Sequence, residues 1–158
     1  MREPIQDRLE SARGKANVKW DTDILMKLLR GTDDEIQIMK ALIFFGHGAR
    51  DARWREPFDR LSALWREQQP QGPSAVAFLE MMEPNLAEAV AQLVGQGATA
   101  IQVIPVFFGQ GGHLRNDFPK LLEACQLQFP QVSLSASSAV GEDTHVLQAI
   151  IDFSSRAI

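Results

Sequence analysis

Several large classes of protein are excluded by what this sequence has little of. One cysteine, Cys125, stands among 158 residues. No internal disulfide can form, which suits a reducing compartment. Within a helical pattern the thiol reads as a small buried hydrophobe rather than a reagent. No apolar run approaches the length of a transmembrane helix. The N-terminus lacks the apolar core of a secretory signal. The expectation is a cytoplasmic protein without a membrane partner. Basic residues are not in excess either: Lys and Arg number 16 against 20 Asp and Glu, a net charge of −4. That balance argues against nucleic acid as a partner. Neither GxxxxGK[ST] nor a GxGxxG after the first apolar run is present, so nucleotide chemistry has no support.

What is present suits one globular domain with a substantial core, at 45% hydrophobic residues. Residues 1–38 differ from the rest. They mix charges closely (Arg2, Glu3, Asp7, Arg8, Glu10, Arg13, Lys15) and offer one short amphipathic piece, Asp23 to Arg30. There Leu25, Leu28 and Leu29 are spaced for one helix face. Met39 directly precedes the first strong strand. The expectation is an extension over 1–38, weakly structured or a short helix and dispensable, ahead of a single domain over 39–158.

From Lys40 the pattern alternates in type. Strands are expected at Lys40–Phe45, Ser74–Glu80, Ala100–Ile104 (within Ala98–Phe108) and, more weakly, Gln131–Ser137. Between them a helix over Arg53–Gln69 sets Phe58, Leu61, Leu64 and Trp65 on one face. A second, with Pro84 in its first turn, carries Leu86, Ala89, Val90, Leu93 and Val94 and stops at Gly97. A third, from about Asp117 to Gln128, turns Leu121, Leu122, Cys125 and Leu127 inward. A fourth, opened by Gly141-Glu142-Asp143, carries Val146, Leu147, Ile150, Ile151 and Phe153. The order βαβαβαβα implies an α/β fold, a four-stranded parallel sheet with helices on both faces. Pro105 removes a ladder donor and belongs near a strand's end.

The chemistry gathers at three strand ends. His47 stands between Gly46 and Gly48 just after the first strand, where open α/β sheets place their ligands. Glu80 closes the second strand, with Glu83 beyond it, and His113 lies in the glycine-rich loop Gly109–His113 after the third. Thirty-three residues separate His47 from Glu80, and again Glu80 from His113. In a βα repeat that spacing returns to the same edge of the sheet. Two imidazoles and a carboxylate there suit a divalent transition metal, and neutral histidine also accepts protons near neutral pH. Glu83, ahead of a proline-led helix, reads equally as a partner for the helix dipole. Arg50, Arg53 and Arg55 follow His47, and Arg115 follows His113. In an acidic chain this local excess points to an anionic ligand.

These segments together resemble the small sirohydrochlorin chelatases, the CbiX/SirB family of class II chelatases. The resemblance rests on Phe44-Phe45-Gly46-His47-Gly48-Ala49-Arg50-Asp51, on Ala77-Phe78-Leu79-Glu80 with Glu83-Pro84 and Leu86, and on Val103-Ile104-Pro105-Val106-Phe107-Phe108 leading to Gly111-Gly112-His113-Leu114-Arg115-Asn116-Asp117-Phe118-Pro119. It covers 39–158 almost without a gap, the length of the family's short form, and the 38-residue extension departs from it. The resemblance implies a flavodoxin-like (chelatase-like) fold and a lyase. Its reaction is ATP-independent insertion of Co²⁺, Fe²⁺ or Ni²⁺ into sirohydrochlorin, a polycarboxylate tetrapyrrole on the way to cobalamin or siroheme. It implies catalytic and metal roles for His47, His113 and Glu80 (with Glu83 the alternative carboxylate), and substrate binding by Arg50, Arg53, Arg115, Gly111 and Gly112. Phe107, Phe108 and Leu114 are candidates for an apolar wall. No cofactor beyond the metal substrate is implied, and the short form is expected to work as a homodimer. The same residues would also serve a carrier that binds metal or tetrapyrrole without catalysing insertion.

Overall fold

Lys40–Gly46 forms the first strand, β1, and its side chains are apolar on both faces, so it belongs inside a sheet rather than at an edge. The computed structural model, which describes residues 38–109 and 111–158 and only the backbone of 112–114, places it there. β2 (Ser74–Phe78), β3 (Ala100–Pro105) and β4 (Ser133–Ala136) complete a parallel sheet of order β2-β1-β3-β4. The chain divides into two units, residues 1–37 and Ile38–Ile158. The first, with the helix expected over Asp23–Arg30, lies outside the described residues.

Four helices follow the strands in turn: α1 (Glu56–Gln68), α2 (Leu86–Gly95), α3 (Gly112–Gln128) and α4 (Thr144–Arg156). One face of the sheet, carrying Ala41, Ile43, Phe45, Ala75, Ala77, Ile101 and Val103, packs under Leu86, Ala89, Val90 and Leu93 of α2 and Cys125 of α3. On the other face Phe58 of α1 packs with Val76 and Phe78. Burial raises the Cys125 thiol's pKa, consistent with a packing role. Pro105 closes β3 at a point where its missing N–H would face β4 beyond that strand's last residue, so no ladder bond is lost.

The departures from the sequence pattern have local causes. A 3₁₀ turn (Ala52–Arg55) precedes α1, with Asp51 capping it through the Arg53 N–H. Leu61 and Leu64 of α1 are exposed, because the helix is rolled to bury Phe58 and Ser62. Ser62 Oγ lies 2.8 Å from Ser74 Oγ, a polar pair between the helix and the start of β2. Helix α2 begins after Pro84, not on it, because Asn85 caps it and closes a reciprocal capping box with Glu88. Gly97, at φ +93°, ends that turn in a left-handed conformation. Helix α3 starts at Gly112 rather than near Asp117, so His113 sits in its first turn and Pro119 lies inside the helix. Leu121, Leu122 and Cys125 face the core, whereas Leu127 is exposed.

The packing assigns sharply different values to two leucines of similar sequence context. Leu93→Ala, at a fully buried position, is expected to cost about 2–5 kcal/mol in urea unfolding. Leu127→Ala is expected to change stability by less than about 0.5 kcal/mol.

Candidate functional site

The site begins where the β1–β2 ladder continues past the regular strands. Leu79 N–H donates to the Gly46 carbonyl at 2.9 Å, and Glu80 N–H donates to the His47 carbonyl at 3.1 Å. These bonds set the two residues opposite one another at the C-terminal edge of the sheet. Gly48 makes the closure possible. Its φ is +90°, and a Cβ there would run into the Glu80 carbonyl oxygen. Gly46 serves differently: it is regular strand, and a Cβ would enter the Phe58 ring. The two glycines around His47 thus answer to packing from opposite sides, only one of them through an unusual backbone angle.

His47 Nδ1 lies 3.4 Å from Glu80 Oε1, with both side chains about half exposed. That separation is long for a hydrogen bond and suits an ion pair when the imidazole is protonated. The ring stands edge-on to Phe107, centroids 6.3 Å apart at 90°. Phe107 is itself buried and packs edge-on against Phe45. With Nδ1 turned to the carboxylate and Phe107 bracing the ring, Nε2 remains the nitrogen to take a metal or a proton.

His113 reaches the same edge through the start of α3, whose N-cap is Gly111 and whose first residue is Gly112. Its side chain, like that of Leu114, lies outside the described residues. Among the described residues no group of three or more His, Cys, Asp and Glu side chains gathers as a metal cage. The described geometry brings together His47 and Glu80. Glu83 is exposed, and its carbonyl accepts a 3.0 Å bond from Arg55 Nη1, while Arg55 Nε donates to Asp59. Arg55 therefore ties the loop after β2 to α1.

The arginines divide by their partners. Arg53 forms a fork onto Asp51, Nη2 to Oδ2 at 2.7 Å and Nε to Oδ1 at 3.1 Å. This guanidinium, with the Arg53 backbone N–H, holds the Asp51 carboxyl below its ordinary range, and Asp51 raises Arg53 in return. Arg50 and Arg115 are exposed, and among the described residues neither has an acidic partner. Two rim residues escaped the sequence pattern. Met81, beside Glu80, adopts φ 62° and is exposed, and Phe108 is 71% exposed, unlike its neighbour Phe107. Nothing in the local sequence separates Phe107 from Phe108 or marks Met81 as left-handed. Asp51 carried a signal: an acidic residue two positions ahead of Arg53 at a helix start is a capping pattern.

The CbiX family model matches residues 41–157. The chain belongs to the CbiX family. A crystal structure of a CbiX protein from Marinobacter aquaeolei VT8 is 30% identical to this CbiX chain, with a TM-score of 0.67, and the match covers 75% of this chain and 96% of that one. The sirohydrochlorin cobaltochelatase of Methanopyrus kandleri is 33% identical over 84 residues, and that of Methanocaldococcus jannaschii 34% over 84. Each match covers 53% of this chain and 59% of the relative, so the chain spans somewhat over half the length of these relatives. SirB from Bacillus subtilis, solved with Fe³⁺, is 25% identical with a TM-score of 0.62, and 72% of this chain covers 45% of it.

Gly48→Ala introduces both a left-handed alanine and a clash with the Glu80 carbonyl. It is expected to destabilise the fold by about 1–3 kcal/mol in urea unfolding. Gly109→Ala, where an added Cβ meets nothing within 4 Å, should stay within about 0.5 kcal/mol of the parent.

Proposed function

We propose that this CbiX chain inserts a divalent metal ion, Co²⁺ or Fe²⁺ with Ni²⁺ as a further candidate, into sirohydrochlorin, without ATP or a resident cofactor. The observation that carries the reading is the His47–Glu80 pair, 3.4 Å apart at the C-terminal edge of a CbiX-family sheet. The relatives named as sirohydrochlorin cobaltochelatases and, in Bacillus subtilis, a ferrochelatase support the substrate class. Among the described residues no helix is long and apolar enough to cross a membrane. The proposal places the protein in the cytoplasm, on the route to cobalamin or siroheme, working as a homodimer. The match to SirB leaves more than half of that longer chain uncovered.

Insertion requires that the metal exchange its water for pyrrole nitrogens and that two pyrrole N–H protons leave. In the proposed reaction His47 Nε2 holds the incoming ion loosely, then accepts a proton as the ion moves into the ring. Glu80, at Nδ1, orients the imidazole and stabilises its protonated form. His113 supplies the second imidazole from the start of α3 and accepts the second proton, with Glu83 the alternative carboxylate. Arg50 and Arg115 grip peripheral carboxylates of the macrocycle, and the backbone N–H groups at Gly111 and Gly112 favour negative charge at that helix end. Arg53, already forked onto Asp51, acts by shaping the loop that carries Arg50. Phe108 and Met81 offer apolar surface to the ring face. An imidazole pair with one carboxylate accepts several first-row ions, so the chain's own ligands leave the metal open.

Purified protein at substoichiometric concentration, with sirohydrochlorin and each of Co²⁺, Fe²⁺ and Ni²⁺, is expected to change the tetrapyrrole absorbance faster than the uncatalysed control. Arg50→Ala and Arg115→Ala should each raise KM about tenfold, the scale of a lost charged hydrogen bond, and Arg53→Ala distinctly less. Absence of acceleration with all three metals would leave a carrier that binds without catalysing.

A further inference from the structure

Trp54 is a large apolar side chain without a partner. Its indole is 52% exposed, and among the described residues it meets no other ring and its N–H has no acceptor. A tryptophan ordinarily settles both needs, burying its rings and bonding its N–H. Trp65 in α1 does so: it is half-buried, and its Nε1 donates to the Gly72 carbonyl at 2.9 Å.

The backbone beneath Trp54 is held from both sides. Its own N–H donates to the Asp51 carbonyl at 3.0 Å. Before it, Arg53 is forked onto Asp51. After it, Arg55 is fixed by Asp59 and reaches the Glu83 carbonyl. That last bond joins the turn carrying Trp54 to the loop that carries Glu80 and Met81. Trp54 thus stands on a braced turn between His47 and α1. An aromatic side chain on a rigid mount loses little freedom when a ligand covers it.

A lone exposed apolar residue needs no explanation. Trp54 is not alone. The connections that leave the C-terminal ends of β1, β2 and β3 each expose one large apolar side chain: Trp54, Met81 and Phe108. Arg50 lies in the first of these connections and Arg115 just beyond the third, and both are exposed. A ligand with a flat apolar face and an anionic periphery matches that combination of apolar side chains and cations.

We propose that Trp54 is a substrate-binding residue whose indole lies against a face of the sirohydrochlorin macrocycle. Met81 and Phe108 extend the apolar contact from the neighbouring loops, and the arginines meet the peripheral carboxylates. His47 belongs to the same connection as Trp54, so stacking there keeps the ring close to the imidazole. The inference rests on the chelatase reading above and adds to it the residue that fixes the plane of the ring.

The test uses the full chain and needs no turnover. Metal-free sirohydrochlorin is titrated by absorbance against the parent, Trp54→Ala and Trp54→Phe. Trp54→Ala should raise Kd about tenfold, the scale of one aromatic stacking contact, and Trp54→Phe, which keeps a ring, less than about threefold. Both variants should keep the parent's thermal melt, because the indole is not buried. In hydroxyl-radical footprinting of the parent, sirohydrochlorin should slow oxidation of Trp54 and leave that of Phe153, exposed on α4, unchanged. A Trp54→Ala Kd within about twofold of the parent overturns the inference. Trp54→Phe binding as weakly as Trp54→Ala overturns it too, because a ring face would then not be what binds. So does oxidation of Trp54 that sirohydrochlorin does not slow, a result that stands whether or not the variants fold. A parent that does not bind sirohydrochlorin overturns the chelatase reading and this inference with it. A parent that binds and inserts metal with Trp54 unprotected sinks this inference alone.

Discussion

One hydrogen bond organises the functional edge of this protein: Glu80 N–H to the His47 carbonyl, beyond the last regular pair of β1 and β2. With the Leu79 N–H bond to the Gly46 carbonyl just before it, this bond keeps the two loops together as they leave their strands. A side-chain pair half exposed to solvent contributes little to its own alignment, because water screens it and long side chains lose freedom in holding it. Backbone bonding does the aligning instead, and Gly48 permits it by yielding the space its Cβ would need. The geometry on which the chemistry depends is therefore built into the sheet, and the imidazole and carboxylate inherit it. Phe107 extends the same logic from the neighbouring strand end, bracing the His47 ring while its carbonyl holds the turn before α4.

Charge is arranged around that pair with some economy. The chain is acidic overall, yet Arg50, Arg53, Arg55 and Arg115 lie on the loops and helix starts nearest the site. Two are spoken for: Arg53 by Asp51, and Arg55 by Asp59 and the Glu83 carbonyl. These two hold loops in place. Arg50 and Arg115 are exposed, and in the proposed function they are the cations that meet a polyanionic substrate. A substrate with several carboxylates at fixed spacing would be oriented by two such grips better than by a diffuse positive field.

Much of this could be read from residue order, and the parts that could not share a cause. β1 and β3 declared themselves by apolar runs, and the even spacing of His47, Glu80 and His113 placed them on one edge in sequence. Helix α2 was legible down to its buried stripe of Leu86, Ala89, Val90 and Leu93. Periodicity misjudged the exposed faces of α1 and α3, because it ranks Leu61, Leu64 and Leu127 as core without knowing what lies opposite. On the buried side of α1 a polar contact between Ser62 and Ser74 accompanies the packing of Phe58, and no hydropathy pattern expresses that. The start of α3 was obscured by Pro119, which favours a later beginning, while Gly111 and Gly112 disguised the true first turn as loop. The fork between Arg53 and Asp51 was also hidden, since a charge two residues away can face its neighbour or a ligand.

The role proposed for His47, aligned by Glu80, is to take the metal and a pyrrole proton. Its most direct measurement is the turnover number for metal insertion in His47→Ala beside the parent protein, at saturating sirohydrochlorin and metal and with matched thermal melts. Loss of about a hundredfold or more in kcat, with the fold unchanged, is the predicted result. A kcat within about twofold of the parent would contradict it, because a general base and metal ligand cannot be removed so cheaply.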